Sequence, residues 1–276
     1  AHMSQETAFA SVDRLFNEVS AGERVNLAFM GGEPMLNRSL VRRATEYAVR
    51  TAEERGAQVG FSITTNGTLL TADDAAFFER YAFAVTVSLD GVGEAHDRLR
   101  PFKSGRGSFA TIRQRLEPLL CRGRGLEVSA RVTVTPQNLS LRETLDELVG
   151  WGFTSVGFSP MLSSPTGRDE MTGESLNAML EQMVDCGREF ERRVLGGQQY
   201  PFSNLTGALR EIHRGTHQPY PCGAGAGYFG VSAEGDLWAC HRFVNDEVGA
   251  MGHVTSGVDA SRQREWLAGR QVDTQE

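Results

Sequence analysis

Residues 29–36 read F-M-G-G-E-P-M-L. The apolar run V-N-L-A-F-M, Val25 to Met30, predicts a short buried strand, and the chain leaves it through Gly31, Gly32, Glu33 and Pro34. Two residues without a Cβ let a ligand come within hydrogen-bonding distance of the backbone carbonyls, and glycine can also take φ > 0. Glu33 adds a carboxylate, so the corner is rich in acceptors. That suits an ammonium group; a phosphate would want N–H donors and a lysine. Taken alone, G-G-E-P reads first as a strand-to-helix turn with an exposed glutamate. Its neighbours decide between the two.

Outward from this corner the chain alternates. Ser4 to Ser20 carries Phe9, Val12, Leu15, Phe16 and Val19 at helical spacing, and Leu40 to Arg55 is helical up to Gly56, a C-cap residue. Strands follow at Val59–Thr64, Ala84–Leu89, Leu126–Val134 and Ser155–Ser159, with helices over Ala72–Glu79, Phe109–Leu120, Leu141–Gly150 and Glu174–Leu195. In the last helix Leu176, Met179, Leu180, Met183, Val184, Phe190 and Val194 are read as one apolar face. Such alternation argues for an α/β fold with parallel strands joined by crossover helices. Each strand ends in a polar or glycine-bearing cluster: G-G-E-P, T-T-N-G, S-L-D-G, T-P-Q-N and S-P-M-L. An open doubly wound sheet and a barrel both place ligands at the carboxyl ends of strands, and five polar loops on one rim favour a barrel or partial barrel.

After Gly196 glycine and polar residues increase, and Pro219, Pro221, Gly223, Gly225 and Gly227 crowd round Cys222. Tyr228–Val231 and Asp236–Ala239, joined by S-A-E-G, read as a hairpin. The expected division is residues 4–196 and 197–276.

Composition narrows the function classes. Apolar residues make up 40% of the 276 residues, charged residues 23%, and the formal net charge is −7, so nothing resembles a nucleic-acid footprint. No stretch approaches the ~20 apolar residues of a membrane helix. Four cysteines, Cys121, Cys186, Cys222 and Cys240, without a secretory signal ahead of them point to a reducing cytoplasm. Ala1, His2 and Met3 read as a tag remnant, and the start in helical character suggests an excised fragment.

Several side chains are candidates for chemistry. Asn66-Gly67 is a common turn dipeptide. Ser88 and Asp90 share one strand face, opposite Leu89, and Arg100 in H-D-R-L-R-P is placed to fold back onto a carboxylate, although solvated-loop roles are the default for Arg98 and Arg100. Cys222 and Cys240 lie across the hairpin with His241 beside the second, a spacing suited to a soft metal. Two sulfurs complete neither a zinc site nor a cubane. Cys121 and Cys186, each alone on a helix, read as buried free thiols.

Together, F-M-G-G-E-P-M-L, T-T-N-G-T-L-L, V-S-L-D-G-V-G-E-A-H-D-R-L-R-P, R-V-T-V-T-P-Q-N and the hairpin from Cys222 to Arg242 resemble, in order over roughly residues 25–250, the radical S-adenosylmethionine family. The resemblance is to peptide-modifying members with a SPASM-type C-terminal extension. It implies a partial (β/α)6 TIM-like barrel lacking its first strand, followed by a small β-hairpin that is part of the SPASM region. It implies S-adenosylmethionine and [4Fe-4S] clusters as cofactors, and a 5′-deoxyadenosyl radical that removes a substrate hydrogen. By position, Gly31, Gly32 and Glu33 would accept from the methionine ammonium, Ser88 and Arg100 would hold the carboxylate, Leu162 would pack on the adenine, and Asn66 would join the cofactor rim. Cys222 and Cys240 would be auxiliary-cluster ligands. A peptide or protein substrate and an electron donor such as flavodoxin or ferredoxin are the implied partners, with no nucleic acid and no membrane.

The chain departs from the pattern in three places. The CxxxCxxC that holds the radical-generating cluster is absent, as are SPASM cysteines beyond Cys240, so the chain is expected to be a fragment cut at both ends and inactive by itself. A ligand commonly found about six residues after the first SPASM cysteine falls near Tyr228, which cannot take that role. Several SPASM sulfatase activators carry an aspartate after the second cysteine, proposed as a base; here it is His241, and H-R-F with V-G-A-M-G-H-V looks closer to maturases that cross-link cysteine to a carboxylate-bearing residue, as in quinohemoprotein amine dehydrogenase maturation. Two other classes compete: a degenerate barrel that binds peptide without chemistry, and a zinc hydrolase using Cys222, Cys240 and His213, His217 or His241.

Overall fold

The computed structural model of the chain describes residues 2–121, 125–215, 219–220 and 222–272. Five strands, β1 (Arg24–Phe29), β2 (Gln58–Thr65), β3 (Ala84–Ser88), β4 (Glu127–Val134) and β5 (Ser155–Pro160), form one sheet in chain order. The pairings from β2 through β5 are parallel, with Thr64 opposite Thr86, Ser88 opposite Arg131 and Val134 opposite Pro160. Parallel strands in sequential order put the carboxyl ends of β2 to β5 on one edge, as the expected barrel requires.

By its internal packing the chain divides into one unit of residues 1–61 with 216–276, and a second of residues 62–215. In the second, Ile63, Val85, Val87, Val128, Ala130, Val132, Val134, Val156 and Phe158 form the buried layer. Against it pack α3 (Ala72–Arg80), α5 (Phe109–Leu120) and α6 (Leu141–Gly150), each burying the side chains its 3.6-residue period lines up: Phe78; Ile112 and Leu116; Leu141, Leu145 and Leu148. The outer edge of β5 is not left as an open ladder. Asn204, in α8 (Ser203–Arg214), accepts from Phe158 N–H at 2.8 Å and donates to Phe158 O at 2.9 Å, while Ser203 Oγ donates to Val156 O at 2.9 Å. Gly157 has to lack a side chain there, since a Cβ would come within 2.5 Å of Ser203 Oγ.

In the first unit α1 (Gln5–Phe16) serves two cores. Ala8 packs with Leu40 and Ala44 of α2 (Arg38–Arg55), and Ala10 packs against Leu237, Ala239, Met251, Val254 and Trp266. The second core belongs to a four-stranded antiparallel sheet, β6 (Gly230–Val231), β7 (Asp236–Trp238), β8 (Ala250–His253) and β9 (Gly257–Val258), closed by α9 (Ala260–Ala268). The expected hairpin is thus β6–β7, shortened, with Val231 opposite Leu237, and it is half of a larger sheet.

Three expectations need correction. The exposed residues of α7 (Gly173–Leu195) include Leu176, Leu180, Val184 and Val194, and its buried ones are Ser175, Met179, Cys186 and Glu189, because an ion cluster described below draws Glu189 inward. Cys121, read as a buried thiol, is exposed at the end of α5. The stretch read as a loop around Arg98 is a helix, α4 (Glu94–Leu99).

Candidate functional site

At the carboxyl end of β1, Gly31 stands at φ 138°, a conformation that side-chain-bearing residues rarely adopt. Gly31 and Gly32 are exposed, and among the described residues nothing lies within 4 Å of the point where a Cβ would stand on either. The bare backbone therefore faces open space, and neither glycine is forced by close packing. Backbone left open in this way is accessible to a ligand, the property expected of a corner that meets an aminoacyl group. Glu33 caps the short 3₁₀ turn Pro34–Asn37, its Oε1 accepting from Met35 N–H at 3.0 Å.

On the edge formed by β2 to β5, Asn66 closes its own turn: Oδ1 accepts from Thr68 N–H at 2.9 Å and from Thr68 Oγ1 at 2.7 Å. Ser88 is the half-buried last residue of β3. Two residues on, Asp90 is 6% exposed and takes Arg100 Nε onto its Oδ2 and Thr133 N–H onto its Oδ1 at 2.8 Å. Asn138 Nδ2 donates to the Asp90 carbonyl at 3.1 Å. Arg100 folds back, and its first partner is the protein's own carboxylate. Because that bond uses Nε, the two terminal nitrogens form the remaining fork, and among the described residues they make no hydrogen bond. Such a fork matches a second carboxylate bidentately. Leu162 is 65% exposed just past β5, an apolar side chain open to a ring. The second unit thus carries Asn66, Ser88, Arg100 and Leu162 along one strand edge. Asp90 was noted only as a neighbour of Ser88; its burial beside an arginine ten residues on was the signal for its part.

The hairpin cysteines behave differently. Cys222 is exposed and Cys240 half-buried, with Cys240 Sγ accepting from Arg242 N–H at 3.2 Å. Among the described residues no three His, Cys, Asp or Glu side chains are gathered to hold a metal ion. His217 and Pro221 lie outside those residues. The closed set that the zinc alternative needs is therefore not assembled from Cys222, Cys240 and His241. His241 Nδ1 instead lies 2.9 Å from Tyr228 Oη, which reaches Met30 Sδ at 3.9 Å. Burial first, then the Arg242 charge, holds His241 below the ordinary histidine range, and burial, then Cys240, pushes the Tyr228 hydroxyl up. Met30 directly precedes Gly31, so the hairpin is anchored at the G-G-E-P corner. Tyr228, dismissed as a metal ligand, is the residue that sequence reasoning undervalued.

The model of the Radical SAM superfamily matches residues 2–149, more than half of the chain. The chain belongs to the radical SAM superfamily. Among named relatives, the cysteine-type anaerobic sulfatase-maturating enzyme of Clostridium novyi is 41% identical over 101 residues, 37% of this chain and 26% of that protein. The serine-type anaerobic sulfatase-maturating enzyme of Klebsiella aerogenes is 26% identical over 253 residues, 88% of this chain. The chain spans 61% of the length of the Klebsiella enzyme. The solved structure of native anSMEcpe with bound AdoMet and peptide matches with a TM-score of 0.80 at 20% identity, over 95% of this chain and 72% of that one, a likeness of fold. The α/β architecture with five strands in one sheet is therefore that of the partial radical SAM barrel. Among the described residues no helix is long and apolar enough to cross a membrane.

Proposed function

We propose that this chain is the S-adenosylmethionine-binding part of a radical enzyme that modifies a peptide or protein after its synthesis. The observation that carries the reading is the open backbone of Gly31 and Gly32 at the end of β1, within the residues matched by the family. Gly31 and Gly32 carbonyls and Glu33 accept from the ammonium of the ligand. Ser88 and the Arg100 fork take its carboxylate, Leu162 covers the adenine, and Asn66 shapes the rim between them. When bound together, the ligand and a [4Fe-4S] cluster held by a CxxxCxxC segment supply a 5′-deoxyadenosyl radical for hydrogen abstraction. The chain's own work is to orient the aminoacyl group and exclude water from it.

Cys222 and Cys240 would serve as two thiolate ligands of an auxiliary cluster whose remaining ligands come from elsewhere, and the functional division falls at residue 196. His241 takes the proton that leaves the substrate. A flavodoxin or ferredoxin in a reducing cytoplasm supplies the electron. The relatives' names, sulfatase-maturating enzymes of serine and cysteine type, support a short peptide carrying such a residue as the substrate class. The histidine after Cys240 favours, as the finer reading, a thioether cross-link made at a peptide cysteine: the carbon loses its hydrogen atom to the nucleoside radical, the thiol loses its proton to His241, the C–S bond forms, and the electron left over would pass to the auxiliary cluster.

The test uses the polypeptide that joins this chain to its CxxxCxxC segment, purified without oxygen and given a cysteine-containing peptide deuterated at its aliphatic carbons. Deuterium in the 5′-deoxyadenosine and a peptide lighter by two hydrogens are expected. A peptide recovered unchanged with the nucleoside unlabelled would sink the proposal, and a peptide-binding module would then stand in its place.

A further inference from the structure

Arg100 belongs to a closed circuit of hydrogen bonds. Its Nε donates to Asp90 Oδ2. The Asp90 backbone N–H donates to His96 Nδ1 at 3.1 Å, His96 Nε2 lies 3.0 Å from Ser108 Oγ, and Ser108 Oγ donates to the Arg100 carbonyl at 2.6 Å. The directions are fixed by proton count. A nitrogen that accepts carries no hydrogen, so the ring is neutral with its proton on Nε2, and Ser108, its one hydrogen committed to Arg100, accepts that proton's bond. Asp90, His96 and Ser108 are 6%, 0% and 3% exposed, whereas the Arg100 side chain is 36% exposed. The circuit is thus three buried members holding one that faces outward.

We infer that His96 and Ser108 are positioning residues for Arg100, fixing its guanidinium to receive a ligand carboxylate; the inference rests on the carboxylate-binding reading of Arg100 given above. An ion pair alone sets charge but lets both side chains swing. Here His96 pins the backbone from which the Asp90 carboxylate springs, and Ser108 pins the backbone from which the Arg100 side chain springs. Both ends of the pair are held before any ligand arrives, so binding does not pay again for ordering a long side chain. Thr133 and Asn138 hold Asp90 from β4 and the turn after it.

The imidazole has charged neighbours on each side. Asp90 follows β3, Asp97 and Arg100 belong to α4 and its end, and α5 contributes Phe109, whose ring centroid is 5.6 Å away. Burial outweighs the two carboxylates and holds His96 below the ordinary histidine range. Protonation would place a second N–H at Nδ1 against the Asp90 N–H and open the circuit.

The experiment compares wild type, Ser108→Ala and Ser108→Thr for binding of S-adenosylmethionine and of its decarboxylated analogue by calorimetry. Imidazole ¹⁵N spectra of the unliganded proteins report the His96 tautomer. We expect the Nε2–H form in all three proteins, since the Asp90 N–H fixes it through Nδ1, with the Nε2 resonance of Ser108→Ala displaced by loss of its acceptor and restored in Ser108→Thr. Affinity for S-adenosylmethionine should fall about 10-fold in Ser108→Ala and recover in Ser108→Thr, with the decarboxylated analogue changed less than about twofold. Wild-type affinity for the carboxylate form alone should drop as His96 is protonated at low pH. Equal losses for both ligands, no loss for either, or a His96 ring protonated on Nδ1 at pH 7 would overturn the inference. A wild-type protein that binds neither ligand while showing the Nε2–H tautomer would leave the circuit standing and overturn its role together with the S-adenosylmethionine reading.

Discussion

Tyr228 Oη lies 2.9 Å from His241 Nδ1 and donates, at 3.9 Å, to Met30 Sδ. A hydroxyl that donates to sulfur accepts Nδ1–H from the ring, which leaves His241 Nε2 with its lone pair outward. One tyrosine therefore sets the tautomer of the residue after Cys240 and ties it to the residue before Gly31. In the intact enzyme, His241→Ala should lower single-turnover product formation by about 10²-fold or more, and Tyr228→Phe by less, with S-adenosylmethionine affinity unchanged. Single-turnover assays alongside a binding titration check this; affinity falling in step with turnover would make His241 a structural residue.

Gly32 offers a separation of fold from function. With open space at its Cβ position and no positive φ, Gly32→Ala should leave the melting temperature as in wild type. The added methyl group stands where the ligand's aminoacyl group would lie, so affinity should fall by about 10-fold. Gly31→Ala, at φ 138°, should lower both. Thermal scans and calorimetry on the two variants decide it.

Glu189 is the stability hinge of α7. Its carboxylate meets Arg192 at 2.6 Å, Arg193 at 2.7 Å and Arg142 at 3.2 Å, and the first two bonds above all hold its pKa down to about 2 from 4.5. A depressed carboxylate contributes stability that is present above pH 4.5 and lost as pH falls towards 2. Glu189→Gln should lower the melting temperature at pH 7 and flatten the acid limb of the stability profile between those values. A profile unchanged in shape would remove Glu189 from this role.

His96 makes the same argument near neutrality. Its lowered pKa means that the unfolded chain takes up a proton first, so its contribution is whole above pH 6.5 and is lost as pH falls below that towards the depressed folded value. His96→Gln should be less stable at pH 7.5 and should lose less further stability than wild type on going to pH 5. Denaturant melts at the two pH values measure the difference.

The parallel strands were legible to within two residues at most ends, because buried strands in such a sheet are nearly continuous apolar runs. The expected strand Val59–Thr64 is Gln58–Thr65, and Leu126–Val134 is Glu127–Val134. Legibility failed where side chains are held by specific partners. Nothing in the period of α7 says that Glu189 turns inward and Leu180 outward; three arginines, two of them in its last turn, reverse the pattern. The short strands β8 and β9 were missed, since two to four residues carry no period to read. At the site, residues of the motifs were nameable one by one. The circuit through His96 and Ser108 was not, because it joins residues 12 apart through a helix turn and a following loop.

The most direct measurement is equilibrium binding of S-adenosylmethionine to this chain, wild type against Arg100→Lys. Lysine keeps a cation for Asp90 but has no fork for a second carboxylate. The account predicts saturable binding by the wild type, weakened about 10-fold or more by Arg100→Lys, and indifference of the decarboxylated analogue to the change. Saturable binding that Arg100→Lys leaves untouched, or no binding by the wild type, would contradict it.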